Sequence, residues 1–281
     1  MEGRVEGILV NARSLAGIST TISFPELSLT IDLGLCTRAA LRTSTVALTH
    51  GHADHISGLH QYLGVRDLFG MGPSRLLCPD GAVQGLRDLV TSFGSLQGRP
   101  FATQVEGTRP GVEVEIARGL FLVPFPVLHK VPSVGYVVVR RVAKLKPAFL
   151  GLPGAEIARL RAEPDADLFD LVDEPLVAVT GDTEAGWLDH LDPRVRAARV
   201  LFAETTFIGG GRDVEAAHAG RHTHLDELAP ALERLENRAI VLYHFSQVYK
   251  AAEIEATVRA RLPASIADRV HLLIPEEADK L

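Results

Sequence analysis

Three observations predict an α/β fold. Short β-rich runs alternate with segments whose apolar residues recur every three or four positions. Of 281 residues, 46% are hydrophobic and 23% charged, a composition that supports a sizeable core and excludes disorder or collagen-like structure. No linker or composition shift divides the chain, and α/β chains of similar length form one unit, so a single domain over residues 1–281 is expected.

The elements are expected in the following order. Ser19-Thr20-Thr21-Ile22-Ser23-Phe24 and Leu27-Ser28-Leu29-Thr30-Ile31-Asp32, joined by Pro25-Glu26, read as strands of an antiparallel meander within the first fifty residues. From Thr45 onward, β runs (Val46-Ala47-Leu48 and Arg75-Leu76-Leu77-Cys78) alternate with helical patterns. In the helical stretch from Gly81 to Leu96, Val83, Leu86, Leu89, Val90 and Phe93 share one face. A second strand-rich block covers residues 101–141. After Val177, Ala198-Arg199-Val200-Leu201-Phe202 and Ala239-Ile240-Val241-Leu242-Tyr243 read as strands, and residues 226–236 and 249–261 as helices. Two βα halves thus flank the middle, without a fixed-period repeat.

Twenty-nine Lys and Arg against thirty-five Asp and Glu give a formal charge of -6, which argues against indiscriminate affinity for nucleic acid or anionic membranes. Locally the balance differs. Residues 137–161 carry Arg140, Arg141, Lys144, Lys146, Arg159 and Arg161 against Glu156 alone, a balance of +5. Residues 163–174 invert it, with Glu163, Asp165, Asp167, Asp170, Asp173 and Glu174 and no base. A solvated surface excursion is the plain reading of both. Cys36 and Cys78 cannot build a disulfide framework and read as thiols of a reduced compartment, so a cytoplasmic location is expected. No apolar run approaches the roughly 18 residues of a spanning helix, and no membrane partner is expected.

Chemistry concentrates in Thr49-His50-Gly51-His52-Ala53-Asp54-His55, an HxHxDH cluster directly after an apolar run. Crowded imidazoles repel when protonated and need partners when buried, and a divalent metal removes both problems. A loop leaving a strand end aims His50 and His52 at one ion, while Asp54 and His55, further on, reach a second. Imidazole and carboxylate donors suit Zn²⁺, with Mn²⁺ or Fe²⁺ as alternatives. Two ions need about seven protein ligands, so about three more must come from other strand ends. His129 ends the run Leu120-Phe121-Leu122-Val123-Pro124-Phe125-Pro126-Val127-Leu128, Asp182 follows Val177-Ala178-Val179-Thr180-Gly181, and His244 follows Ile240-Val241-Leu242-Tyr243. Singly each is commonplace; their ordered recurrence at strand ends is not.

The order HxHxDH, His, Gly-Asp-Thr, His resembles the metallo-β-lactamase fold, which implies an αββα sandwich with a two-metal site at one edge. The β-lactamases themselves match poorly for want of an export signal. With only 61 residues between Asp182 and His244, the nucleases that carry a large inserted domain there match poorly too. Finer motifs resemble ribonuclease Z, the tRNA 3′-end endonuclease, in its short, plant-type branch. Ala203-Glu204-Thr205-Thr206-Phe207 is similar to that family's His-Glu-Ala-Thr motif, Gly220-Arg221-His222-Thr223-His224 to its Gly-His-Ser-Thr motif, and His244-Phe245-Ser246-Gln247-Val248-Tyr249 to its HFSxRY ending. Phe24-Pro25-Glu26-Leu27, Asp32-Leu33-Gly34-Leu35-Cys36 and the stretch 136–155 extend the likeness over nearly the whole chain. The departures are Ala203 for the motif His, Thr223 for Ser, Val248 for Arg, and Arg13-Ser14-Leu15-Ala16-Gly17 in place of a Phe-Leu-Gly-Thr signature.

The resemblance implies a zinc-dependent endoribonuclease that removes the 3′ trailer from precursor tRNA. His50, His52 and His129 would hold one ion, Asp54, His55 and His244 the other, and Asp182 both. Asp54 would orient or deprotonate the attacking water, and Glu204 with His222 would protonate the leaving 3′-oxygen. Ser246 would contact phosphate. A short basic arm within residues 137–175 would grip tRNA through Arg140, Arg141, Lys144 and Lys146. A homodimer is implied, and DNA is not expected as a partner. A dinuclear hydrolase of small phosphodiesters or thioesters, or a non-catalytic metal-stabilised RNA-binding protein, are the alternative readings.

Overall fold

Alternation of apolar side chains between two faces dictates the architecture. The computed structural model describes residues 1–163, 166–189 and 191–275. The first sheet comprises, in spatial order, β1 (Glu2–Val5), β2 (Ile8–Leu15), β3 (Ser19–Phe24), β4 (Leu29–Leu33), β5 (Thr45–Ala47), β6 (Ser74–Pro79) and β7 (Thr103–Thr108). The second comprises β8 (Val114–Ala117), β9 (Leu120–Pro126), β10 (Val134–Leu145), β11 (Phe169–Val179), β12 (Val200–Glu204), β13 (Ala239–Tyr243) and β14 (Val270–Leu272).

Both sheets follow one plan. Strands β1 to β4 and β8 to β11 pair antiparallel. Strands β4 to β7 and β11 to β14 pair parallel. Parallel pairs need crossovers, and helices supply them. Leu59–Leu68 and Val83–Gln97 do so in the first half, and Pro193–Ala197, Leu225–Leu232 and Ala251–Arg261 in the second. The halves share a pattern and not a sequence, which is why no repeat is visible in the primary structure.

Side-chain period fixes the layers. Val200 and Phe202, with Tyr136 of the same sheet, face the other sheet, where they meet Phe24 and Ile31, while Leu201 and Ala203 face the helices. Helices Leu225–Leu232 and Ala251–Arg261 cover that outer face with Leu225, Leu228, Ile254 and Val258. On the far side Leu59, Leu63 and Leu86 cover Leu33, Val46 and Leu76. The result is the expected α/β/β/α sandwich. Strands buried on both faces read as unbroken apolar runs, as Val200-Leu201-Phe202-Ala203 does.

Two helices differ from expectation at their ends. The helix expected over 226–236 spans Leu225–Leu232: His224 caps it by accepting from the Asp226 amide at 3.1 Å, and Arg269 takes the Leu232, Leu235 and Asn237 carbonyls beyond. The helix expected over 249–261 begins at Ala251, because buried Tyr249 turns inward and donates its hydroxyl to the Gly209 carbonyl at 2.8 Å.

The charged middle segment is more than a solvated excursion. Beyond Arg141, β10 pairs with β11, forming a two-stranded arm with a helix, Gly154–Arg161, near its tip. The register sets Arg140 opposite Glu174, Arg141 opposite Asp173 and Lys144 opposite Asp170. Arg141 is clamped: it donates to Asp173 at 2.7 Å and Glu113 at 2.9 Å, and lies over the Phe121 ring at 4.3 Å. Lys144 pairs with Glu174 at 2.9 Å and Lys146 with Asp167. Much of the acidic run is thus the counter-strand of the basic one, a long-range pairing that local composition does not reveal; Asp165 lies outside the described residues. Among the described residues no helix is long and apolar enough to cross a membrane.

Phe202 packs edge-on against Phe24, their centroids 5.9 Å apart, at the centre of the inter-sheet core. Phe202→Ala is expected to lower unfolding free energy by about 3–5 kcal/mol in a urea titration, since the closed core leaves a cavity.

Candidate metal centre

The carboxyl ends of the parallel strands of both sheets open on one edge, and the predicted ligands converge there. His50 leaves the loop after β5; His52 precedes the short helix Ala53–Ile56 that carries Asp54 and His55. His129 follows β9, Asp182 follows β11 and His244 directly follows β13. Gly181 permits this convergence: its φ is +66°, and an added Cβ would lie 2.7 Å from the Thr49 side chain.

Hydrogen bonds fix the imidazole tautomers. Buried Asp32 accepts from the Thr49 amide at 2.7 Å, from the Thr49 hydroxyl at 2.8 Å and from His55 Nδ1 at 2.8 Å. The Thr49 oxygen, its proton given to Asp32, accepts from His50 Nδ1 at 3.0 Å. His129 Nδ1 donates to the Arg221 carbonyl at 2.9 Å. Thr206 gives its proton to Glu204 and accepts from His244 Nδ1 at 2.9 Å. His50, His55, His129 and His244 therefore all turn inward the Nε2 whose lone pair a cation would take.

Those lone pairs meet one another. His50 Nε2 lies 3.0 Å, and His129 Nε2 3.1 Å, from His52 Nδ1, which carries at most one proton. Asp182 Oδ2 completes this set, 3.8 Å from His50 Nε2. In the second set, His55 Nε2 and His244 Nε2 lie 3.4 Å apart, each 3.3 Å from Asp182 Oδ1. Asp54 Oδ2 lies 3.5 and 3.4 Å from the same two nitrogens. Ligand atoms bound about 2.0–2.2 Å from one ion at tetrahedral angles sit about 3.3–3.6 Å apart, a spacing that the second set matches and that the first straddles. Asp182 Oδ1 is buried and has no hydrogen-bond partner among the described residues, an orphan that a cation would satisfy.

The electrostatics point the same way. Burial holds His50, His52 and His129 below the ordinary imidazole range, as neutral ligands. Burial opposes charge on His244 too, yet Asp182, Asp54 and Glu204 push it up to about 10. His55 is likewise driven well above its usual range by Asp182 and Asp32 against burial. Burial raises the Asp54 and Asp182 carboxyls, but the neighbouring His244 and His55 outweigh it and hold both well below the usual carboxylate range. The second set is a pocket of negative potential that attracts positive charge.

Glu204 and His222 form a separate pair. Glu204 is buried, and its oxygens accept from His222 Nδ1 at 2.9 Å, the Thr223 amide at 2.7 Å and the Thr206 hydroxyl. Burial would raise its carboxyl, but His222 and His244 hold it low and ionised. With both oxygens engaged, Glu204 suits proton handling better than metal ligation. The His222 ring stands 5.4 Å from that of His129 and 5.7 Å from that of His244, over the gap between the two sets. Ala203, where the motif has His, is buried among the helix-facing apolar residues.

Three of the five non-glycine residues with positive φ among the described residues belong to this edge: Asp32 at 55°, Arg221 at 60° and His244 at 67°. Left-handed backbone costs about 1–2 kcal/mol in a non-glycine residue and is held where the surroundings fix it, commonly at functional sites. The half-exposed ion pair of Arg221 with Glu184, 2.7 Å long, contributes no more than about 1 kcal/mol. Ser246 sits at the lip beside Ala16, its amide bonded to the Thr206 carbonyl at 3.0 Å. It does not cap the following helix, whose N-cap is Lys250. The arm bases are not brought to the ligands: Lys144 lies ten residues along β10 from Val134, whose amide bonds Thr49, a span of roughly 30 Å.

Sequence reading overlooked Asp32 and Thr206, which orient His55 and His244. The available signal for Asp32 was an acid inside the apolar strand Leu29–Leu33, where a buried charge needs a designated partner.

Similarity to known proteins follows the geometry. Residues 36–151 match the model of the Beta-lactamase superfamily domain. The chain is 33% identical over 271 residues to tRNase Z TRZ1 of Arabidopsis thaliana, covering 96% of each, and 35% identical over 161 residues to Nuclear ribonuclease Z of Triticum aestivum, covering 56% of this chain and 89% of that one. Its fold matches human tRNase Z, short form, with a TM-score of 0.59 at 17% identity, over 85% of this chain and 92% of that one. The metallo-beta-lactamase fold protein YhfI from Bacillus subtilis matches with a TM-score of 0.66 at 13% identity, over 94% and 95%. With two ligand sets at the shared sheet edge and a relative of this identity along almost its full length, the chain belongs to the tRNase Z family of the metallo-β-lactamase fold.

Proposed function

We propose that this chain is a zinc-dependent endoribonuclease that removes the 3′ trailer from precursor tRNA. The observation that carries the reading is the meeting of seven ligand groups with an independent Glu204–His222 pair at one edge. His50, His52, His129 and Asp182 would hold one ion, and Asp54, His55, His244 and Asp182 the other. Two bound divalent ions would supply acidified water at neutral pH and stabilise the charge of an in-line phosphodiester displacement.

The protein's own groups do the rest. Asp54, held by the Gly17 amide at 2.9 Å, orients or deprotonates the attacking water. Ionised Glu204 fixes the His222 ring, which protonates the leaving 3′-oxygen. Asp32 positions His55 by accepting from Nδ1. Ser246, at the lip, contacts a phosphate oxygen. The arm, within residues 137–175, presents Arg140, Lys144 and Lys146 to tRNA; exposed ion pairs are weak enough to be exchanged for RNA phosphates. Arg141 is committed to the arm's packing as well. Because the arm projects away from its own ligand sets, it fits a homodimer in which each arm serves the partner's substrate. The two sheets share one core, in keeping with a single domain, and the free thiols Cys36 and Cys78 suit a cytoplasmic setting.

Purified protein with Zn²⁺ or Mn²⁺ should cut a 3′-extended precursor tRNA just after the discriminator base; turnover of small esters alone would overturn the nuclease reading. Elemental analysis should find close to two equivalents of metal per chain and, for Asp182→Ala, less than one, because that residue serves both sets. His222→Ala should keep its metal while kcat falls about 10²- to 10⁴-fold. Asp32→Asn should weaken metal affinity or turnover about 10- to 100-fold in a chelator competition and a cleavage assay.

A further inference from the structure

Arg221 stands on the rim of the site, and neither the ligand sets nor the Glu204–His222 pair accounts for an arginine there. Its carbonyl orients His129. A glycine would offer the same carbonyl, and would take φ of +60° without strain. In the motif that this segment resembles, glycine directly precedes histidine, whereas here Arg221 stands between Gly220 and His222. The ion pair with Glu184 uses Nη1 and is too exposed to offset the strain. What arginine adds is a guanidinium 46% exposed, with further N–H groups to donate. Lys130, exposed and directly after His129, brings a second positive charge to the same rim. The interior they border carries the carboxylates Asp54, Asp182 and Glu204, which by themselves repel a polyanion.

We propose that Arg221, assisted by Lys130, binds the RNA phosphate adjoining the scissile one. This deepens the RNA-cleaving reading above and rests on it. A guanidinium fork matches two non-bridging phosphate oxygens, while an ammonium adds a point charge. Strain kept at a rim residue is then explained by substrate recognition.

The test compares metal-loaded wild type, Arg221→Gly, Arg221→Lys and Lys130→Ala. Steady-state kinetics use a 3′-extended precursor tRNA at several salt concentrations, and bis(p-nitrophenyl) phosphate, which has no adjoining phosphate. Arg221→Gly should melt at or above the wild-type temperature, because glycine accepts the left-handed backbone. Its KM for RNA should rise about tenfold or more, the strength of a charge-assisted contact. The change in kcat should be smaller, and the loss on the small ester smaller than on RNA. The slope of log affinity against log salt should shrink by about one. Arg221→Lys should recover part of the loss, and Lys130→Ala should show a weaker form of the same effect. An unchanged KM and salt slope in Arg221→Gly, or equal losses on RNA and ester, would overturn the proposal while leaving wild-type RNA cleavage intact. A wild type that hydrolyses the ester and leaves precursor tRNA uncut would overturn the RNA reading itself, and this proposal with it.

Discussion

The buried carboxylate of Asp182 is the constraint around which the rest is arranged. One of its oxygens faces His50 and the other faces His55 and His244, and Oδ1 has no hydrogen-bond donor among the described residues. A carboxylate buried so deeply needs compensating positive charge, and the imidazoles around it are oriented by their outer hydrogen bonds to point Nε2 at it. Negative potential and inward lone pairs conflict until a cation sits between them. The outer shell of Asp32, Thr49, Thr206 and the Arg221 carbonyl is what keeps the conflict in place.

That shell explains why the fold is built in two similar halves. Each sheet turns from antiparallel to parallel pairing at its fourth strand, and each contributes loops from the carboxyl ends of its parallel strands. The halves pack face to face through Phe24, Tyr136 and Phe202, so the first half's HxHxDH loop is held against the second half's Asp182 and His244. Rigidity of the shared core thus becomes ligand placement, as a site that needs small tolerances requires.

Charge is distributed with the same economy. A net charge of -6 describes no particular surface, because the acidic strand lies against the basic one in the arm and the buried carboxylates Asp32, Asp182 and Glu204 lie at the candidate metal edge. The negative average is therefore compatible with local basic surfaces.

How far the sequence alone reached follows from the range of each interaction. The HxHxDH spacing is local, and the strand-end positions of His129, Asp182 and His244 follow from apolar runs, so the candidate ligands and the α/β class were legible. An unbroken apolar run likewise marked Ala239–Tyr243, and a β-branched-rich run Ser19–Phe24, at their true limits. Long-range relations were not legible. That Asp32 orients His55 spans 23 residues, and that the acidic run pairs with the basic arm depends on strand register. Helix ends moved where a distant group intervened, as Arg269 does beyond Leu232 and Gly209 does at Tyr249. The sequence by itself determined which residues could bind metal and which faces are apolar, because both depend on near neighbours. The tertiary structure decided the ligand tautomers, the outer shell and the direction of the arm, because those depend on groups brought together only by folding.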